Sequence, residues 1–364
     1  MGKKVRDLPT PAVLVDGAVL QRNINRMAET ARRFDVTLRP HAKAHKTVEI
    51  VRLQQQAGAD GATVATLREA RVLVEAGIDK ITVATPLWGD DKLSKAAFLS
   101  GMAELTLLVT DGNHADHLNR YFSGRGITVP VQLKVDTGLR RCGRRPEEID
   151  ELFVSGLCRA THLRWSGWLT HAGHSYGARN PEELTAIARY EADALVQLQQ
   201  ELGPEGATVS IGSTPTAPMG AAVPGVTEIR PGNYVFNDRM QLNLGVARPE
   251  DLALTVLTQV IDRSRDRVVL DAGAKTLGLD SGVHGRKSIE GFGEIVGTEL
   301  VISRLSEEHG IIEGKNRLEC GQFVEIRPNH ACPVANLADR LYIRDGNSVI
   351  DVFRVEARGH AFFD

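Results

Sequence analysis

The sequence predicts a (β/α)8 barrel followed by an all-β domain. Strand-like and helix-like segments alternate over the first two-thirds of the chain, and about eight such units fit before Gly232. Alternation of this kind is typical of parallel strands joined by crossover helices. No GxGxxG motif follows the first strand, which weighs against a doubly wound dinucleotide-binding sheet. We therefore expect a barrel over residues 12–244.

The individual barrel elements follow from local periodicity and from the glycines that end helices. The segment "AVLVD" is a predicted strand, and the apolar residues of 20–34 have helical spacing. "VEIVRLQQQAG" and "LREARVLVEAG" are predicted helices that end at Gly58 and Gly77. The other strands are "VTLRPHAK", "GATVAT", "KITVATPL", "AELTLLVT", "VPVQLKVDTG", "LRWSGWLTHAG" and "ATVSIGSTPT", and the longest helix covers residues 181–202.

After about Leu244 the helical spacing nearly vanishes. "ALTVLTQVIDR", "RVVLDAG", "GFGEIVG", "TELVISRLSEEHG", "QFVEIRP", "RLYIRDG" and "VIDVFRVEARG" are predicted strands joined by short Gly or Asp turns. We therefore expect an all-β domain over residues 245–364. Residues 1–11 are candidates to pair back onto it.

Composition limits the classes of partner. The 364 residues carry a formal net charge of −2, so no overall positive field favours nucleic acid or an anionic membrane. No apolar run approaches the roughly 18 residues of a membrane helix, and the N-terminal segment lacks the apolar core of a signal peptide. The four cysteines contain no CxxC pair. We expect a cytoplasmic protein with a small-molecule or protein partner, without nucleic acid or membrane partners.

Five polar clusters follow predicted strands. They are "RPHAKAHKT", "DTGLRRCG", "THAGHSYG", "GSTPT" and "RPGNY". In a (β/α)8 barrel the loops after the strands form the active face. Five clusters in separate loops of this kind favour a binding or catalytic site.

Lys43 is the candidate nucleophile of the first cluster. On spacing alone, a solvated surface lysine is the more common role. The functional alternative is a Schiff-base lysine, whose amine is made nucleophilic by partial burial and by the nearby His41, His45 and Lys46. Lys46 is the rival nucleophile, since it lies one residue past His45.

The other clusters contain candidate anion-binding groups. "GSTPT" and "RPGNY" combine small residues with hydroxyls and backbone N–H groups, which suit a phosphate, although each is also compatible with an ordinary turn. "DTGLRRCG" places Arg141 in a tight loop after a strand. Arg141 is either a surface arginine or a cation that holds a phenolate or a carboxylate.

The stretch "RPNHACPV" in the β domain contains a candidate metal site. His330 and Cys332 are two residues apart, so both point to the same side of an extended segment. An imidazole and a thiolate together suit zinc. Buried histidine and cysteine are also common in protein cores, and a lone H-x-C spacing is compatible with that role.

Together these stretches resemble the pyridoxal 5'-phosphate (PLP)-dependent enzymes of fold type III, which have an alanine-racemase-like barrel. The resemblance is to the branch that contains the D-serine dehydratases and D-threonine aldolases, and it covers nearly the whole chain. It also includes "TPAVLVD", "VATLREA", "EIRPGNYVF", "LDAGAK" and "SEEHG". The resemblance implies that Lys43, the first lysine of the PHxKxHK pattern, carries PLP.

The resemblance also implies roles for other residues and a homodimeric assembly. Arg141 would lie near the phenolic oxygen of PLP, and Tyr176 near its ring or the substrate. His330 and Cys332 would bind a divalent metal, with zinc expected and manganese or magnesium as alternatives. The remaining cofactor-binding residues would be Gly212, Ser213, Thr214, Gly232, Asn233 and Tyr234.

The implied activity is that of a lyase acting on D-configured β-hydroxy-α-amino acids. We favour a dehydratase, which converts D-serine, D-threonine or 3-hydroxy-D-aspartate to a keto acid and ammonia. The alternative is a D-threonine aldolase-type cleavage to glycine and an aldehyde, with His174 as the base at the β-hydroxyl. A racemase, with Tyr342 as a second base, and a non-catalytic PLP-binding protein are less favoured.

Overall fold

The computed structural model describes residues 2–282 and 289–362, and strands and helices are numbered in chain order. The strands are β1 (Ala12–Asp16), β2 (Thr37–Leu38), β3 (Ala62–Val64), β4 (Lys80–Val83), β5 (Glu104–Val109), β6 (Val129–Lys134), β7 (Leu163–Leu169), β8 (Thr208–Ile211), β9 (Glu228–Ile229), β10 (Leu254–Arg263), β11 (Arg267–Leu270), β12 (Gly293–Ile295), β13 (Arg304–Leu305), β14 (Gly310–Glu313), β15 (Phe323–Pro328), β16 (Arg340–Asp345) and β17 (Ser348–Arg354). The helices are α1 (Gly17–Arg33), α2 (Val48–Gln56), α3 (Leu67–Glu75), α4 (Asp90–Ser100), α5 (Gly112–Ser123), α6 (Glu151–Arg159), α7 (Pro181–Leu202), α8 (Ala217–Gly220), α9 (Arg239–Asn243), α10 (Ala274–Leu277) and α11 (Ala331–Leu337).

Strands β2 to β9 form a parallel barrel. They pair in the order β2-β9-β8-β7-β6-β5-β4-β3, and each neighbouring pair is parallel. A parallel bridge between His41 and Thr63 joins the two ends of this sheet. The prediction of a (β/α)8 barrel followed by a β domain is confirmed, and α7 has the predicted bounds.

Local sequence explains the barrel elements. All six residues of β6 are buried, as expected for a strand enclosed on both faces. Helices α2, α3 and α5 begin after Thr47, Thr66 and Asp111, whose side-chain oxygens accept a backbone N–H from the first helical turn. Within the described ranges, no helix has both the length and the apolar composition needed to span a bilayer.

The second sheet contains the C-terminal strands together with β1. Its strands run in the order β13-β14-β11-β10-β1-β16-β17, and β15 pairs with β10 and β12. Strand β1 is antiparallel to β10 and parallel to β16, with Leu14 opposite Thr255 and Tyr342. Residues 12–16 therefore lie in this sheet, although we expected the barrel to begin at residue 12. The boundary at 244/245 stays a prediction, and residues 283–288 and 363–364 of the predicted β domain lie outside the described ranges.

The two sheets meet at the C-terminal ends of the barrel strands. Helix α11 packs against the short 3-10 turn Ala42–Ala44, which follows β2. The N–H of Met240 donates to the carbonyl of Asn329 over 3.2 Å, and the N–H of Ala357 donates to the carbonyl of Lys46 over 3.1 Å. The β domain is therefore fixed against the loop that carries Lys43.

A bulge in β7 depends on a glycine. Trp165 pairs with Val131 but Gly167 pairs with Gln132, so Ser166 is an extra residue in the strand. Gly167 has φ +138°, and a Cβ there would overlap the backbone of Thr208 in β8. Only glycine adopts this backbone conformation without strain.

We expect Gly167→Ala to lower the free energy of unfolding by roughly 3 kcal/mol, because the added methyl group is strained and overlaps β8. Urea unfolding followed by circular dichroism measures the change. Gly156→Ala is the matched control, since Gly156 is an exposed helical residue with nothing within 4 Å of an added Cβ. Gly156→Ala should raise the free energy of unfolding by about 0.5–1 kcal/mol. Equal effects of the two substitutions would contradict the assignment of the bulge.

Candidate active site

A cavity of about 370 Å³ opens at the C-terminal ends of the barrel strands. Its lining residues follow or end seven of the strands: His41, Lys43, Ala65, Ala84, Thr85, Pro86, Lys134, Arg141, Cys142, Leu169, His171, Gly212 and Arg230. A larger cavity of about 640 Å³ lies in the β domain beside Val5 and Phe323, but its lining includes no histidine or cysteine. We therefore place the chemistry in the smaller cavity.

Lys43 lies in the 3-10 turn between His41 and His45. The backbone N–H of Lys43 donates to Nδ1 of His41 over 3.4 Å, which caps the turn. Burial lowers the pKa of Lys43, Cys332 raises it and Arg141 lowers it, and the net shift is downward. A lysine with a lowered pKa is neutral more often at pH 7, so its amine is a better nucleophile.

Lys46, the rival lysine, is engaged elsewhere. Its Nζ lies 3.4 Å from Oε1 of Glu69, and Lys46 is not among the residues that line the cavity. Glu69 is itself buried and also accepts the N–H of Ala65 over 2.7 Å. The geometry therefore favours Lys43 as the reactive amine.

Two histidines flank Lys43 in the cavity. Burial, together with the charge of Lys43, lowers the pKa values of His41 and His171 well below the ordinary value for histidine. Nδ1 of His171 donates to the carbonyl of Gly212 over 2.8 Å, so its Nε2 is not protonated in the neutral ring. We left both residues unassigned from the sequence. The sequence feature that points to them is their position in the polar clusters "RPHAKAHKT" and "THAGHSYG".

The cavity also contains cations that sequence reasoning did not assign. Lys134 is buried, its Nζ donates to the carbonyl of Val135 over 2.9 Å, and burial lowers its pKa to about 8. The Arg230 guanidinium donates to Ser210 and to the carbonyl of Thr170. Burial lowers the pKa of Arg230 to about 10. The sequence feature that could have identified Lys134 is a lysine within the otherwise uncharged strand "VPVQLK".

The two predicted phosphate turns lie against each other. The N–H of Tyr234 donates to Oγ1 of Thr214 over 3.1 Å, and Oγ of Ser213 lies 3.1 Å from Oγ of Ser175. Asn233 is buried and donates to Asp238, and among the described residues no hydrogen-bond partner reaches its Oδ1. These contacts bring the "GSTPT" and "RPGNY" loops together beside the cavity.

Glycines keep this region open. Gly212 has φ +122°, and a Cβ there would lie 3.1 Å from the backbone nitrogen of Arg230. A Cβ on Gly232 would lie 3.0 Å from the carbonyl oxygen of His41. Side chains at these positions would therefore crowd the backbone beside Lys43. The open cradle, the buried lysine and the surrounding cations fit the anionic PLP.

Among the tyrosine and histidine candidates, Tyr234 and His174 are not residues that line the cavity. Tyr176 is half-buried beside Thr214 and Cys332, and desolvation raises its pKa. The hydroxyl of Tyr234 instead accepts from Nε2 of Gln54 over 3.0 Å, so its phenol points away from the cavity toward α2.

His174 packs against Gly138 in the "DTGLRRCG" loop and is not a cavity-lining residue.

The candidate metal pair lies at the start of α11 rather than on an extended segment. Strand β15 ends at Pro328, His330 has extended backbone angles, and Cys332 is already helical. Pro333 fits the first helical turn, where no N–H partner is needed. The N–H of Ala331 donates to Oδ2 of Asp238 over 2.9 Å, and this distant contact fixes the helix start.

His330 and Cys332 provide a nitrogen and a sulfur donor near Lys43. Nδ1 of His330 lies 2.6 Å from Oδ2 of Asp280, which leaves Nε2 for a metal. Burial lowers the pKa of His330, but Cys332 and Asp280 raise it more, and the net shift is well upward. In the part of the chain that is described, no group of three such donors is arranged to hold a metal. The pair fits a metal that keeps open positions.

Comparisons with known proteins identify the family of this chain. Residues 15–239 match the family "Alanine racemase, N-terminal domain", and residues 253–344 match "Putative serine dehydratase domain". A D-threo-3-hydroxyaspartate dehydratase from Delftia sp. (strain HT23) is 35% identical, covering 89% of this chain and 91% of its own length. The chain belongs to the fold type III PLP-dependent enzymes.

Other relatives in this family include both lyase types. A D-serine dehydratase from Dictyostelium discoideum is 31% identical over 96% of this chain and 97% of its own. The crystal structure of a D-threonine aldolase from Filomicrobium marinum has a TM-score of 0.92 at 28% identity, covering 100% of this chain and 98% of that chain. Another solved structure is a metal-free variant of D-threo-3-hydroxyaspartate dehydratase in which a cysteine is replaced by alanine. Its TM-score is 0.90 at 30% identity, covering 99% of this chain and 100% of that chain.

We expect borohydride reduction of the PLP-loaded protein to attach the cofactor irreversibly to Lys43, because its amine faces the cavity and has a lowered pKa. Peptide mass mapping identifies the modified residue. Lys46→Ala is the matched control and should keep the label, whereas Lys43→Ala should lose it. A label on Lys46 or Lys134 in the unsubstituted protein would contradict the assignment.

Proposed function

We propose that the protein is a PLP- and divalent-metal-dependent lyase that removes water from a D-configured β-hydroxy-α-amino acid, giving a keto acid and ammonia. The observation that carries the proposal is the position of the His330–Cys332 pair, on a helix that packs against the turn of Lys43. A base for the Cα proton and a donor pair for a metal are then available to one small substrate.

Lys43 moves the proton at the substrate Cα in this proposal. PLP, when bound, supplies an electron sink for the negative charge that develops there. A neutral Lys43 is an effective base because its pKa is lowered toward the working pH. Arg141 and Lys134 are cations of the cavity that we propose hold the anionic groups of cofactor and substrate in place.

His330 and Cys332 hold the metal in this proposal, and Tyr176 lies beside Cys332. A divalent metal, when bound, supplies a Lewis acid that makes the β-hydroxyl a better leaving group. We propose zinc, because imidazole and thiolate are its usual donors, with manganese or magnesium as alternatives. Nε2 of His330 remains available because Asp280 occupies Nδ1.

The phosphate of PLP is proposed to lie against the two joined turns. Ser213 and Thr214 provide hydroxyls for it, and Gly212 and Gly232 leave space beside Asn233. The side chain of Tyr234 is engaged with Gln54, so we assign Tyr234 a role only through its backbone.

We favour dehydration over retro-aldol cleavage. His174, the base expected for the aldolase alternative, packs against Gly138 outside the cavity lining. The relatives of at least 30% identity described above are dehydratases. The presence of a D-threonine aldolase with a TM-score of 0.92 keeps the aldolase as the second candidate.

Racemase and non-catalytic roles have less support. Tyr342, the candidate second base of a racemase, lines a separate cavity with Pro9 and Arg340. The match of residues 253–344 to a serine dehydratase domain indicates a β domain with a catalytic role rather than a lone PLP-binding barrel. A racemase would also leave the His330–Cys332 pair without a function.

The oligomeric state and the cellular location are proposed on grounds other than the geometry of the site. We propose a homodimer on the basis of the family resemblance. A cytoplasmic location is consistent with the four cysteines, which are all free.

We expect the protein loaded with PLP and zinc to convert D-serine, D-threonine or 3-hydroxy-D-aspartate to keto acid and ammonia in equal amounts, without glycine. The cations of the cavity and the absence of a carboxylate among its described lining residues predict the highest kcat/KM for 3-hydroxy-D-aspartate, which carries a second carboxylate. Keto acid, ammonia and glycine are assayed in the same tube.

The L-enantiomers and a metal-stripped sample are the controls for this assay. The stripped sample should keep the absorbance of bound PLP but form no keto acid. Glycine with an aldehyde would establish the aldolase alternative, and full turnover without metal would refute the metal role.

A further inference from the structure

We propose that Asp280 is a positioning residue that orients His330 for the metal. This inference rests on the proposed function. Oδ2 of Asp280 lies 2.6 Å from Nδ1 of His330, and the two residues are 50 positions apart in the chain. The contact joins the loop after α10 to the start of α11. Nothing in the sequence spacing links the two residues.

The contact determines which ring nitrogen is available. An ionised carboxylate only accepts hydrogen bonds, so Nδ1 of His330 carries the proton that it shares with Asp280. In the neutral ring, which metal binding requires, Nε2 is then the nitrogen with a free lone pair, and it is the one left for a metal shared with Cys332. A carboxylate on the far side of a metal-binding imidazole fixes its tautomer and its rotation and makes it a stronger donor.

Asn329 holds the Asp280 loop in place. Nδ2 of Asn329 donates to the carbonyl of Asp280 over 2.9 Å and to the carbonyl of Gly291 over 2.8 Å. Oδ1 of Asn329 accepts from Arg239. Asn329 is buried and immediately precedes His330, so the loop and the histidine are attached to the same short segment. The carboxylate is therefore aimed by the fold rather than by a flexible surface side chain.

Two other roles for Asp280 are distinguishable from positioning. A plain surface ion pair is the simplest, since 42% of the Asp280 side chain is exposed and such pairs contribute little. A third metal ligand is the other, but the Asp280 oxygen is already engaged with the imidazole, and no three-donor group exists among residues 2–282 and 289–362. The zinc dissociation constant of enzymes substituted at Asp280 distinguishes these three roles.

The test measures the zinc dissociation constant of the PLP-loaded enzyme by competition with a chromophoric chelator. We expect Asp280→Ala to weaken zinc binding roughly 10- to 100-fold. Asp280→Asn should weaken it less, because an amide oxygen still accepts the Nδ1 proton. His330→Ala should weaken it more than either. Glu313→Ala is the matched control, a half-exposed carboxylate paired with Arg304 in the same domain, and it should change nothing.

Cobalt substitution gives a readout that a surface ion pair would not change. Asp280→Ala should keep the thiolate-to-Co²⁺ charge-transfer absorption, because Cys332 still binds, but shift the ligand-field bands, because the imidazole is no longer held. The absorbance of bound PLP and the melting temperature should stay close to those of the unsubstituted enzyme.

Three outcomes decide between the roles. An unchanged zinc dissociation constant in Asp280→Ala would overturn the positioning role and leave the proposed function intact. A loss as large as that of His330→Ala would overturn it in favour of a ligand. If His330→Ala itself binds zinc like the unsubstituted enzyme, the metal site of the proposed function fails instead. Should Asp280→Ala fold poorly, Asp280→Asn and its intermediate affinity carry the test.

Discussion

The buried carboxylate of Asp238 holds the parts of the active site together. Its Oδ2 accepts from the backbone N–H of Ala331 over 2.9 Å and from the side chain of Asn233, and its Oδ1 accepts from the N–H of Gln241 over 3.1 Å. Asn233 belongs to a proposed phosphate turn, and Ala331 lies between the two proposed metal donors, His330 and Cys332. Burial raises the pKa of Asp238, while His330 and these hydrogen bonds lower it, and the net shift is upward. One side chain thus connects the barrel to the metal helix.

This connection has a consequence for catalysis. Lys43, the proposed cofactor lysine, is in the barrel, whereas the proposed metal donors His330 and Cys332 are in the β domain, so neither domain would form the proposed site alone. Enzymes gain from holding reacting groups in fixed positions before the substrate arrives. Here the packing of α11 on the Lys43 turn, the Met240–Asn329 hydrogen bond and the Ala357–Lys46 hydrogen bond supply that rigidity. In the proposed function, the β domain is therefore part of the catalytic machinery.

Sequence periodicity predicted the architecture but not the contacts between domains. The alternation of strands and helices was enough for the barrel, and the bounds of α7 were predicted because its N-terminal proline and C-terminal glycine mark a helix clearly. Strand β1 was open to either sheet, since "PTPAVLVD" was a candidate to pair with the β domain and a buried strand has the same local pattern in both. The helix at 331–337 was missed because a carboxylate 93 positions away fixes its start. Lys134, Arg230 and Asp280 needed the tertiary structure, because only the fold shows which polar side chains converge.

The central claim is that the PLP lysine and the metal pair share one site. Anomalous diffraction at the zinc edge from crystals of the PLP- and zinc-loaded enzyme tests it most directly. Our account predicts a peak about 2.0–2.1 Å from Nε2 of His330 and about 2.3 Å from Sγ of Cys332, facing the cavity in which Lys43 carries the cofactor. A zinc peak bound to other residues, or one that His330 contacts through Nδ1, would contradict it.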